Sequence, residues 1–205
     1  MVRQHLGLSL PRGARVGLLG GSFDPPHAGH LHLSREALKR FGLDRVIWLV
    51  SPGNPLKTGA PASMERRLTA ARLLADDPRI WISDFERPLG TRFTHETLGA
   101  MTTLWPQVRF VWLMGADNLV QFHRWDNWRR IMSTLPVGVL ARPGHRMAAL
   151  QAPTTRAFSS FRIPAEQARL LPMQPAPAWC FVNMPMMSTS STQIRRLGGW
   201  SSGDT

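Results

Sequence analysis

His27 and His30 stand three positions apart inside residues 20–30, which read GGSFDPPHAGH. An imidazole N–H can donate to a phosphoryl oxygen, and side chains at i and i+3 share one face of a helix. An apolar run at 16–19 precedes the glycines, and a helical pattern begins near Leu31. A strand, a glycine turn and a helix start leave backbone N–H groups facing outward, where an anion can sit. The stretch therefore predicts a phosphate-handling site. The paired imidazoles predict stabilisation of charge, beyond simple binding.

The other histidines lack this context. His5, His32, His123 and His145 are read as structural or exposed, and His95 is read the same way by a small margin. Asp24, beside Pro25 and Pro26, is read as a turn cap rather than a metal ligand. Cys180 falls in an apolar strand pattern and is expected to be a buried, inert thiol.

The elements that must position these groups follow from hydrophobic periodicity. Near-continuous apolar runs predict buried parallel strands at 16–19, 45–50, 79–84, 108–114, 136–141 and 179–183. Helices are expected at 31–41, 64–75 with Ser63 as N-cap, 94–103, 118–132 with a break near His123, and 190–197. Trp48, Trp81 and Trp112 fall in strand runs and are expected in the core, and Trp105 at a helix end. The alternation predicts an α/β fold: a Rossmann-like doubly wound parallel sheet with helices on both faces, in a single domain. Residues 1–205 are then one unit. They comprise a core at 14–142, a loop-rich segment at 143–177 with a short helix near 166–171, a last strand and helix at 178–198, and a frayed tail at 199–205.

Composition bounds the function classes. The chain has 205 residues, 43% hydrophobic and 19% charged, with a net charge of +12. That surplus favours phosphorylated small molecules or polyanions. The arginines are dispersed, without a basic run or nucleic-acid motif, so a basic surface around a nucleotide site is the preferred reading. A single cysteine excludes an internal disulfide framework. No apolar stretch approaches the length of a membrane span, and the N-terminus is too polar for a signal peptide, so a cytoplasmic location is expected.

Two motifs carry a resemblance. His27-Ala28-Gly29-His30 is similar to the HxGH motif of the nucleotidyltransferase superfamily, and Ser190-Ser191-Thr192-Gln193-Ile194-Arg195 resembles its SSTxIR motif. Thr189 departs from the isoleucine usual before that second motif. Within the superfamily the chain looks most like bacterial nicotinate-nucleotide adenylyltransferase. The likeness rests on residues 20–27, on 51–57 (SPGNPLK), on 90–98 (GTRFTHETL), on 115–119 (GADNL), and on the aromatic segment holding Trp125 and Trp128. It is weakest over 143–177.

The resemblance implies that the 5′-phosphate of nicotinate mononucleotide attacks the α-phosphorus of ATP, releasing pyrophosphate and forming deamido-NAD. The attacking oxygen is already ionised, so alignment and charge stabilisation do the catalysis and no general base is needed. By the same resemblance His27, His30 and Arg195 are the catalytic residues. Gly20, Gly21, Ser22, Phe23, Lys57, Ser190, Ser191 and Thr192 are expected at the ATP phosphates. Asp117 is expected at a ribose hydroxyl and Trp125 against the nicotinate ring. Thr94 and the Trp125–Asp126 amides are expected at the nicotinate carboxylate, with Arg92 assisting. Magnesium is expected to arrive on ATP, without a metal cage of protein ligands. ATP and nicotinate mononucleotide are the expected partners, with no nucleic acid and no membrane, and an oligomer is allowed. The alternatives are another HxGH enzyme, such as pantetheine-phosphate adenylyltransferase, and a nucleotide-binding protein without catalysis.

Overall fold

The computed structural model describes residues 9–53, 61–141, 146–185 and 200. Seven strands form one all-parallel sheet: β1 (Arg15–Gly21), β2 (Arg45–Val50), β3 (Ile80–Ser83), β4 (Arg109–Gly115), β5 (Val137–Ala141), β6 (Arg162–Ile163) and β7 (Trp179–Asn183), in the order β3-β2-β1-β4-β5-β7-β6. The helices are α1 (Ala28–Arg40), α2 (Met64–Leu74), α3 (Glu86–Leu89), α4 (Thr94–Leu104), α5 (Ala116–Gln121), α6 (Trp128–Thr134), α7 (Arg146–Leu150) and α8 (Pro153–Ala157). Among the described residues no helix is long and apolar enough to cross a membrane.

The strands are continuous in apolar character because both faces of the sheet are covered. Side chains alternate along each strand. Leu18, Ile47, Leu49, Phe110 and Trp112 enter one core layer. Leu19, Val46, Trp48, Val111 and Leu113 enter the other. The doubly wound expectation is met. The chain winds outward from β1 to β2 and β3, then returns to pair β4 with β1. Strand order reverses between β1 and β4, so their C-terminal ends flank the crevice where ligands bind in such sheets.

Helices α1, α2 and α4 lie close to their expected places, and the Ser63 hydroxyl caps α2 by accepting Arg66 N–H at 3.3 Å. The helix expected at 118–132 is three pieces: α5, a 3-10 turn at Phe122–Arg124, and α6. Trp125 and Trp128 therefore do not share one helical face. Trp125 is extended at the end of the 3-10 turn, Trp128 opens α6, and both rings pack on Phe122.

The loop-rich segment holds more structure than its pattern suggests. It contributes α7, α8, β6 and a long 3-10 helix at Ala165–Met173. The 3-10 helix covers the short helix expected near 166–171, whereas the other elements, of two to five residues, are too short to show a period. The Trp179 indole N–H pins this segment to the sheet by donating to Phe158 O at 2.7 Å. Trp48, Trp105 and Trp112 are buried as expected, whereas Trp81 is only half-buried, with Arg45 stacked 4.0 Å from its ring centroid. Cys180 is fully buried, and burial pushes its thiol up to about 11, so it stays protonated and unreactive.

Candidate active site

The turn after β1 brings the two histidines together through helix capping. His27 is the N-cap of α1, outside the helix proper, and His30 is its third helical residue. Gly29 N–H donates to His27 Nδ1 at 3.1 Å, and His27 N–H donates to His30 Nδ1 at 3.2 Å. This is the reciprocal capping arrangement usually made by a hydroxyl and a glutamate, built here from two imidazoles. Each Nδ1 accepts a hydrogen bond from a backbone N–H, so each neutral ring carries its own proton on Nε2. The ring centroids stand 3.9 Å apart. The expectation of two histidines on one helical face is thus refined to an N-cap and a first-turn residue in ring contact.

The neighbouring groups fix that pair. Phe23 has a φ of 46°, a left-handed backbone uncommon for an aromatic residue. Its buried ring stacks on Trp48 at 4.9 Å and meets His30 at 4.7 Å, which holds the turn in this conformation. The Trp48 indole donates to Ser34 Oγ at 2.7 Å, and Ser34 donates to His30 O at 2.9 Å. The first turn of α1 is thereby tied to β2. Gly20 faces Trp112 so closely that any Cβ there would collide with the indole. The Ser22 carbonyl accepts a hydrogen bond from a buried guanidinium on α2.

Arg67 is the residue that sequence reasoning missed. It is 1% exposed. Its Nε donates to Ala62 O at 2.8 Å, and its Nη1 donates to Ser22 O at 2.8 Å and Ser51 O at 2.7 Å. One guanidinium thus joins the turn after β1, the turn after β2 and the approach to α2. Burial lowers its pKa, and the Asp24 and Glu65 carboxylates oppose that shift. Asp24 is 8% exposed. Its Oδ1 accepts Ala62 N–H at 3.4 Å and the Trp200 indole N–H at 2.6 Å. Asp24 is therefore a tie between distant segments more than a local turn cap. Trp200, expected in a frayed tail, is docked.

The second half of the crevice lies after β4. Asp117 is exposed in the first turn of α5, and its carboxylate folds over Gly115, where a Cβ would collide with it. Trp125 is half-buried, edge-on to Trp112 at 6.3 Å. Trp112 therefore links the Gly20 turn to the Trp125 segment. Thr94 is the first residue of α4, where the helix's own ladder takes no N–H. The N–H groups of Arg92 and Phe93 donate to the Glu96 carboxylate at 3.0 and 3.1 Å. The Trp125 N–H is donated to Phe122 O at 2.9 Å, so this amide is engaged within the turn. Asp126 is exposed, and its Oδ2 accepts from Asn127 at 2.8 Å.

His95 is buried, with Nδ1 3.3 Å from Asp126 Oδ2 but not aligned as a hydrogen bond. His32 contacts Pro185 O at 3.1 Å through Nε2. Lys57, Ser190, Ser191, Thr192 and Arg195 lie outside the described residues, as do His5 and His145. Among the described residues no group of three histidine, cysteine or acidic side chains could hold a metal ion.

A parallel sheet with a glycine turn and two imidazoles at its switch point has the architecture of α/β proteins that handle nucleotide phosphates. Comparison with known proteins narrows the class. The cytidylyltransferase-like family model matches residues 18–197. The probable nicotinate-nucleotide adenylyltransferase of Ruegeria pomeroyi is 58% identical, covering 98% of this chain and 93% of the relative. That of Parvibaculum lavamentivorans is 52% identical over 98% of this chain and 99% of its own length. The nicotinic acid mononucleotide adenylyltransferase of Plasmodium falciparum, solved with NaAD, shares the fold with a TM-score of 0.67 at 16% identity, covering 89% of this chain and 83% of that one. The chain belongs to the nicotinate-nucleotide adenylyltransferases.

Proposed function

We infer that this chain transfers the adenylyl group of ATP to nicotinate mononucleotide, giving deamido-NAD and pyrophosphate. The observation that carries the reading is the tautomer lock on His27 and His30. Their Nδ1 atoms are held by backbone N–H groups, which leaves Nε2–H as each neutral ring's donor. The family and the names of the close relatives support the two substrates.

In the reaction an anionic oxygen of the mononucleotide phosphate attacks the α-phosphorus. The bond from that phosphorus to the bridging oxygen breaks, and pyrophosphate leaves with the electron pair. Negative charge on the non-bridging oxygens must be met as this happens. His27 and His30 donate to them, and the backbone around Gly20, Gly21, Ser22 and Phe23 frames the ATP phosphates. Preorganised donors of this kind are worth about 10²–10³ in kcat each. Lys57, Ser190, Ser191, Thr192 and Arg195 are assigned to the outer phosphates from sequence. Asp117 is assigned to a ribose hydroxyl, and Trp125 to the face of the nicotinate ring. The first-turn amide of Thr94 and the backbone at Asp126 are assigned to the nicotinate carboxylate, with Arg92 near.

Magnesium suits this scheme as a companion of ATP. The Asp24 carboxylate is already bonded to Ala62 and Trp200, so the phosphates themselves are the natural ligands. The ion would neutralise phosphate charge and ease the departure of pyrophosphate.

The test is pyrophosphate release with ATP and a panel of acceptors. Nicotinate mononucleotide should give the highest kcat/KM, above its amide counterpart. Equal values for acid and amide would refute the acid preference. Turnover of phosphopantetheine without nicotinate mononucleotide would refute the function.

A further inference from the structure

Trp200 has no part in the chemistry described above, yet it is bonded to the turn that carries it. Its indole N–H donates to Asp24 Oδ1 at 2.6 Å, and Arg66 Cζ stands 4.3 Å from its ring centroid. Asp24 is three residues before His27, and Arg66 adjoins the buried Arg67. A buried carboxylate needs close donors to offset its lost hydration. The Ala62 N–H reaches it only at 3.4 Å, so the indole is the shorter of these two bonds.

Asp24, Arg67 and Ala62 form one network under the turn. Arg67 holds Ser22 O and Ala62 O, and Asp24 holds Ala62 N–H. The indole joins this network from the far end of the chain, 176 residues from Asp24. In sequence Trp200 follows Arg195 by five positions.

We propose that Trp200 is a positioning residue for ATP: through Asp24 it braces residues 20–30 in the conformation that receives the phosphates. The proposal rests on the reading of that turn as the ATP phosphate site. Trp200 acts on the turn through the Asp24 carboxylate, with the Arg66 stack orienting the ring. A hydrogen bond to a charged group is among the stronger ones, so its loss should be felt in the turn it restrains.

The experiment compares the full-length chain with Trp200→Phe and Trp200→Ala. Phenylalanine keeps a ring face for Arg66 and removes the N–H. ATP affinity is read by calorimetry without acceptor, and KM for each substrate, kcat and Tm are read beside it. Trp200→Phe should weaken ATP binding and raise the KM for ATP about tenfold, the scale of one such hydrogen bond. It should lower kcat far less than it raises the KM for ATP and leave the KM for nicotinate mononucleotide unchanged, with no more than a slight fall in Tm. Trp200→Ala should do the same to a larger degree.

Unaltered ATP affinity in Trp200→Phe would overturn the proposal. Equal weakening of both substrates together with a marked fall in Tm would overturn it as well, since that describes a general structural role. Failure of the underlying reading looks different: the wild-type chain itself would not bind ATP in the calorimeter.

Discussion

An imidazole offers two nitrogens, and the backbone at the start of α1 decides which one can serve a phosphate. The Gly29 and His27 N–H groups occupy the two Nδ1 atoms, so capping uses one edge of each ring and the proposed donation to phosphate uses the other. The spacing of His27 and His30 was legible in the sequence, but their capping roles were not, because the N-cap needs the backbone angles of a folded turn. Glu86 shows the same limit. It is 7% exposed, Thr97 Oγ1 donates to it at 3.2 Å, and burial pushes its carboxyl up to about 7 from 4.5. The neutral form is favoured in the folded state. As pH rises from about 4.5 the unfolded chain loses this proton first, so stability falls until about pH 7 and is level above it. The full loss is about 3 kcal/mol. Glu86→Gln should remove that slope. Urea unfolding from pH 5 to pH 8 should show the variant gaining about 2–3 kcal/mol on the wild type across the range; parallel curves would refute the shift.

At the scale of elements, the site is three turns at the C-terminal edge of the sheet, and Arg67 is the device that ties two of them. The parallel strands were readable because burial on both faces leaves a plain signature, as at β2, where the five residues from Val46 to Val50 are all buried. The turns were not, because their fastener sits on a helix whose pattern misleads. Helix α2 carries Arg66, Arg67 and Arg72 among leucines and alanines, and an arginine there reads as solvent-facing. In the structure Arg67 is 1% exposed while Leu73, on the same helix, is 83% exposed. Only the three carbonyls brought together by folding explain that inversion. Arg67→Lys keeps the charge but replaces a planar fork with a point donor. It should cost about 2–3 kcal/mol by leaving buried carbonyls unpaired. A Tm unchanged in a thermal melt would show that the carbonyls find other partners.

At the scale of the molecule, the sheet's reversal between β1 and β4 sets the two halves of the site side by side. The histidine turn ends one strand, and the Asp117 turn ends its neighbour. Trp112 connects the halves, under Gly20 on one side and edge-on to Trp125 on the other. The chain's net charge of +12 favours the approach of two anionic nucleotides over long range. The doubly wound parallel sheet could be anticipated from βα alternation, whereas the two- to five-residue elements between β5 and β7 were too short to read. The central claim is that the imidazole Nε2–H groups stabilise charge at the α-phosphorus, apart from the capping done by Nδ1. The direct measurement is kcat for His30→Gln and His27→Asn, each with Tm. Glutamine at the third helical position and asparagine at the N-cap both preserve capping. Each variant should keep a near wild-type Tm and lose about 10²–10³ in kcat. A kcat close to wild type in a correctly folded variant would contradict that claim.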